Sequence, residues 1–158
     1  MEFNIIEGCM VLTLFLGYLS LWRLKKHEML KSNGDDPEVI YNDNSPSQKF
    51  FAILSRLMSI SVALLIVFHS TRFKDISGFY PIDFLDNDTA NIIGLILGLS
   101  GLLLCWKAQK EMDDSWRVGI DRNNKTNLVT SGVFKKLRNP TYSGLFLICT
   151  GTFSIFFE

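Results

Sequence analysis

Four apolar runs of sixteen to twenty residues divide the chain, at 3–22, 50–69, 91–106 and 140–157, and nearly all charged residues lie between them. At a rise of about 1.5 Å per residue the first run, Phe3 to Trp22, makes a helix about 30 Å long, enough to cross a hydrocarbon core. The pattern predicts an all-α polytopic membrane protein with about four transmembrane helices, forming a single integral-membrane domain over residues 1–158. The first run starts at the third residue with no basic leader, and no small-residue cleavage site follows it. It therefore reads as a retained helix and not a signal peptide.

Single residues refine this picture. Glu7 is the only acid inside any run; it reads as a headgroup-level residue, with a functional carboxylate as the alternative. Trp22 closes the first span as an interfacial anchor. Arg56 lies near one end of the second span, placed to snorkel or to pair with a polar group. His69 reads as interfacial. In the third span Gly94, Gly98, Gly101 and Cys105 share one nearly flat helical face. Such a face admits a second helix at close range, or lines a lipid or prenyl groove. Turn signals at Asn33-Gly34-Asp35-Asp36-Pro37 and Asn42-Asp43-Asn44-Ser45-Pro46 mark residues 23–49 as a connecting loop without recognisable chemistry. Residues 70–90 form an acidic loop around Phe79-Tyr80-Pro81.

Overall charge adds little, since sixteen Lys and Arg balance sixteen Asp and Glu; nothing points to nucleic acid. Its distribution sets orientation. Residues 23–49 hold five Lys and Arg, 107–141 hold eight, and 70–90 hold two. The positive-inside rule puts both cation-rich segments in the cytoplasm and the N-terminus outside. Glu7 then shares a face with His69 and Arg72, so an ion pair is expected there. Cys9, Cys105 and Cys149 each fall inside an apolar run without paired spacing or a histidine cluster. Neither a disulfide framework nor a metal site is expected. The C-terminal Ile155-Phe156-Phe157-Glu158 matches no lipidation signal.

The specific information is concentrated in residues 115–144. Asn139-Pro140 is a helix start: asparagine caps free N–H groups, and proline suits the first helical position because it has no N–H to lose. The positive dipole end of that helix lies beside Arg138, Lys135 and Lys136, an arrangement that suits an anionic ligand or simply obeys the positive-inside rule. Gly132 after Thr130-Ser131 supplies a turn. Leu128, Val129, Val133 and Phe134 suggest a short cytoplasmic element lying in the membrane surface before the last helix, and Trp116 is a candidate interfacial anchor.

Three segments together resemble the isoprenylcysteine carboxyl methyltransferase family of integral-membrane methyltransferases. They are Met112-Asp113-Asp114-Ser115-Trp116-Arg117-Val118-Gly119-Ile120; Lys125-Thr126 with Leu128-Val129-Thr130-Ser131-Gly132-Val133-Phe134; and Arg138-Asn139-Pro140-Thr141-Tyr142-Ser143-Gly144. The family pattern is Leu-Val-Thr-x-Gly followed by Arg-His/Asn-Pro-x-Tyr leading into a membrane helix. Asn139 is similar to the bacterial members, which implies a multi-pass protein of the bacterial inner membrane. The resemblance implies methyl transfer from S-adenosylmethionine to a lipid-like or prenylcysteine-type carboxylate acceptor at the cytoplasmic face. Arg138, Asn139, Pro140 and Tyr142 would then belong to the cofactor pocket, with Leu128, Val129 and Gly132 shaping its wall. Arg138 would hold the cofactor carboxylate, and Tyr142 would pack against its adenosine or methionine part. No catalytic residue is assigned, because a carboxylate acceptor needs no general base.

Family members usually continue through a further hydrophobic hairpin into a segment of paired glutamates and arginines that closes over the cofactor. This chain stops at Glu158, so the expectation is a fragment or a shortened homologue with an open site. Two other readings stay open: an NADPH-dependent membrane sterol or steroid reductase, whose core has a similar Arg/Asn-Pro-x-Tyr region, and a truncated non-catalytic membrane module. The Ser-Trp-Arg-Val-Gly segment favours the methyltransferase. Membrane lipids and the acceptor are the expected partners, and the sequence leaves the oligomeric state open.

Overall fold

The computed structural model describes residues 5–34, 36–42, 45–70, 87–120 and 127–156. Among them the protein is all-helical: α1 (Ile5–Asn33), a single turn α2 (Val39–Asn42), α3 (Pro46–Ser70), α4 (Asp88–Met112) and α5 (Pro140–Phe156). Two short 3₁₀ turns, Asp113–Ser115 and Gly132–Lys135, lie between α4 and α5. Two helices, α1 and α4, are long and apolar enough to cross a membrane.

The helices overrun the apolar runs. Residues 23–33, expected as loop, complete α1, because Arg-Leu-Lys-Lys-His-Glu-Met-Leu-Lys holds good helix formers and no breaker precedes Gly34. At 29 residues α1 is about 44 Å long. Likewise α4 continues six residues past Trp106 to Met112. It starts at Asn87, whose side-chain Oδ1 accepts the Ala90 N–H at 2.9 Å, a capping contact that satisfies one of the first turn's orphan donors.

The core is the packing of α4 against α5, with α1 laid along both. Gly94, Gly98, Gly101 and Cys105 are all buried. Gly94 lies against Gly151 and Ile155, Gly101 against Gly144 and Ile148, and Leu14 of α1 fills the space at Gly98. The groove alternative for this face is therefore corrected: two helices already occupy it. Backbone approaches this close are open only to residues without a Cβ, and a Cβ at Gly101 would come within 2.5 Å of the Gly144 carbonyl oxygen. Rising residue numbers pair α1 with α4 in parallel, Leu14 with Gly98 and Gly17 with Leu102, while α5 runs antiparallel to α4. Val11, Leu14 and Ile155 form the buried apolar centre.

Glu7 is 2% exposed and so packed within the protein. The parallel register puts it one turn before Val11, at the level of the equally buried Asn91. The expected ion pair falls outside the described residues, since Arg72 and the side chain of His69 are not among them. The Arg56 guanidinium stacks over the Tyr41 ring at 4.8 Å and ties α3 to α2.

Candidate functional site

The segment after α4 is held by the loop that the sequence left without a role. Val118 donates its N–H to the Pro37 carbonyl at 2.8 Å, and Ile40 donates to the Val118 carbonyl at 2.9 Å. Gln48, 4% exposed in the first turn of α3, then continues the pairing with its side chain. Its Oε1 accepts the Ile120 N–H and its Nε2 donates to the Ile120 carbonyl, both at 3.0 Å. A primary amide carries one acceptor and two donors, so Gln48 pairs with Ile120 as a neighbouring strand residue would. Trp116, read as an interfacial anchor, is instead 4% exposed and belongs to the interior.

Acids fix two of the cations near this segment, Lys25 and Lys26. Lys26 bonds Glu38 at 2.7 Å and lies 3.6 Å from Asp36. The buried Lys25 reaches Glu28 at 3.3 Å and Asp113 at 3.6 Å. Asp113 is also, among the described residues, the non-glycine residue with positive φ, at 43°, where α4 ends and its own N–H returns to the Gln109 carbonyl.

Beyond the undescribed residues 121–126, the chain returns to the end of α4. Gly132 takes a left-handed φ of 58°, and a Cβ there would fall on the Glu111 carboxylate. That carboxylate accepts the Val133 N–H at 2.7 Å. Glycine is thus required twice, by the dihedral and by the contact. The 3₁₀ turn Gly132–Lys135 follows, and α5 begins at the buried Pro140. The Asn139 carbonyl accepts the Ser143 N–H at 3.1 Å, the bond expected of a residue flanking a helix start. Its side chain is exposed and makes no hydrogen bond among the described residues, so the side-chain cap expected from Asn139 is replaced by this carbonyl alone.

Two open depressions flank the segment. One, of about 770 Å³, lies between Trp106, Lys107, Lys110 and Glu111 on α4 and Gly132, Val133 and Lys136 opposite. The other is apolar and is lined by Leu104, Leu137, Tyr142, Ser143, Phe146 and Leu147.

The seven residues singled out by sequence are thus divided. Gly132 lines the first depression and Tyr142, 72% exposed, lines the second. Arg138 and Asn139 are exposed at the mouth of α5 and Pro140 is buried beneath them. Leu128 is 88% exposed and Val129 half-buried, and neither lines either depression. Sequence reasoning missed Trp106, Lys107, Lys110 and Glu111, because it ended the third helix at Trp106. The uninterrupted helix formers Lys107-Ala108-Gln109-Lys110-Glu111 were the signal that α4 continues into the site.

No family model, curated protein or solved structure matches the chain.

Proposed function

We propose that the protein is a multi-pass membrane methyltransferase that moves the methyl group of S-adenosylmethionine to a lipid-like carboxylate at the cytoplasmic membrane face. In this reading α1, α3, α4 and α5 all cross the bilayer, with residues 23–49 and 107–141 inside and the N-terminus outside. The observation that carries the proposal is that Gly132, Arg138 and Tyr142 lie at one end of the α4–α5 pair. Gly132 is pressed on Glu111, the exposed Arg138 precedes α5, and Tyr142 stands in an open apolar groove one turn further on. An exposed guanidinium suits the cofactor's carboxylate as a bidentate partner, and the aromatic face of Tyr142 suits its adenosine or methionine part.

The chemistry asks little of side chains. Held by Arg138 and Tyr142, S-adenosylmethionine would supply an electrophilic methyl group that a carboxylate acceptor can take without a general base. No proton moves, so alignment and exclusion of water carry the rate. The test is equilibrium binding of radiolabelled S-adenosylmethionine and of NADPH to the detergent-solubilised full chain. Binding of the methyl donor, weakened at least tenfold in Arg138→Ala, is expected. Binding of NADPH alone would transfer the assignment to a membrane reductase, and binding of neither would leave a non-catalytic module.

A further inference from the structure

We propose that the lysine-lined depression and the apolar groove beside it form one site for an anionic phospholipid. Lys107, Lys110 and Lys136 hold the phosphate, and an acyl chain lies along Leu104, Leu137, Phe146 and Leu147. The charge is the first argument. Lys25 and Lys26 are matched to carboxylates, whereas Lys107, Lys110 and Lys136 form no ion pair among the described residues. The acid in the depression, Glu111, already accepts a hydrogen bond from the Val133 N–H. Three lysines against one glutamate leave the hollow cationic.

The second argument is continuity. Leu104 and Lys107 are three residues apart on α4 and so are surface neighbours, while Leu137 directly follows Lys136. Each pair puts one residue in the cationic hollow and the other in the apolar groove, so the two hollows share a border. Their order matches an amphiphile: cations at the helix end, then Phe146 and Leu147 about two turns into α5. Trp106 lines the cationic hollow, 45% exposed, with the Lys110 ammonium 5.3 Å from its ring, a pairing suited to headgroup depth.

This inference does not rest on methyl transfer: the two readings assign the groove beside Tyr142 to different ligands, and the lipid is measured with no cofactor present. The full chain in neutral detergent is titrated with palmitoyl-oleoyl phosphatidylglycerol, and separately with the phosphatidylcholine of the same chains, and bound copies are read by native mass spectrometry. The expected result is one phosphatidylglycerol bound at least tenfold more tightly than phosphatidylcholine. At about fivefold per lysine, Lys136→Gln weakens it modestly and the triple variant K107Q/K110Q/K136Q abolishes the preference. The pair K31Q/K49Q removes charge from exposed lysines on the other segment and leaves the preference intact. Phe146→Ala lowers affinity for the long-chain lipid but not for its dihexanoyl analogue. Equal losses per charge in K31Q/K49Q would overturn the proposal in favour of diffuse surface attraction. Full displacement by millimolar inorganic phosphate would overturn it in favour of a free-anion site. Lys136→Gln, outside any α-helix, keeps the test decisive if the triple variant misfolds.

Discussion

Gly132 and Glu111 are the residue pair on which the local geometry of the motif turns. Adding a methyl group at Gly132 forces a β-carbon both into the left-handed region and onto the Glu111 carboxylate. Gly132→Ala is expected to cost about 1–3 kcal/mol and to act locally. The check is hydrogen exchange, in which the amides from Val133 to Leu137 should open faster while those of α4 keep their protection. Glu111→Gln, which retains an acceptor for the Val133 N–H, should preserve most of that protection, whereas Glu111→Ala should lose it. The turn at Gly132 was legible in the sequence from its place after Thr130-Ser131. Its partner was not, because Glu111 lies 22 residues upstream of the Val133 N–H that it accepts, in a stretch whose charges hid the continuation of the helix. Trp116 misled for a related reason. Aromatic residues beside polar segments fit a membrane boundary and a buried core equally well, and only the tertiary packing decides between them.

At the scale of elements, the α4–α5 pair is held by backbone approach, with Gly101 over Gly144 and Gly94 over Gly151. Close packing is the main source of helix association in lipid, so a side chain inserted there has no room to relax. Gly144→Val places two methyl groups toward Cys105, whose Sγ is 2.5 Å from the ideal Cβ position. Overpacking of this kind costs about 1–3 kcal/mol. The thermal midpoint of the solubilised protein should fall by several degrees, and an equivalent change at the half-buried Ser143, which faces the open apolar groove, should be nearly neutral. The existence of four long helices and the small-residue face of the third were legible because glycine spacing and apolar run length are local properties. Which helix occupied that face was not, since Gly98 meets Leu14 of α1 while its neighbours meet α5. Helix ends were missed wherever charged helix formers prolonged an apolar run, as at 23–33 and 107–112.

For the whole molecule, the decisive contacts join segments far apart in sequence. Counting cations predicts that residues 23–49 and 107–141 share one side, but no periodicity could show that Gln48 bonds Ile120 across 72 residues. Gln48→Ala removes both amide bonds and leaves a partly buried peptide group without its partner, a loss of about 1–3 kcal/mol. Limited proteolysis should then cut sooner near Val118–Ile120, while Gln48→Glu, which keeps the acceptor but not the donor, should fall between the two. The same amide has a mechanical consequence. Helix α3 touches α2 and α1 and has little contact with α4 or α5, and Phe50, Phe51, Ile53, Leu57 and Ile60 along it are all more than half exposed. Pinned in its first turn and packed on its α1–α2 side with little hold on α4 or α5, it behaves in the four-span reading as a lever with its fulcrum at Gln48. Bilayer thickness then sets its tilt, and that tilt bears on the chain at Ile120, at the threshold of the motif.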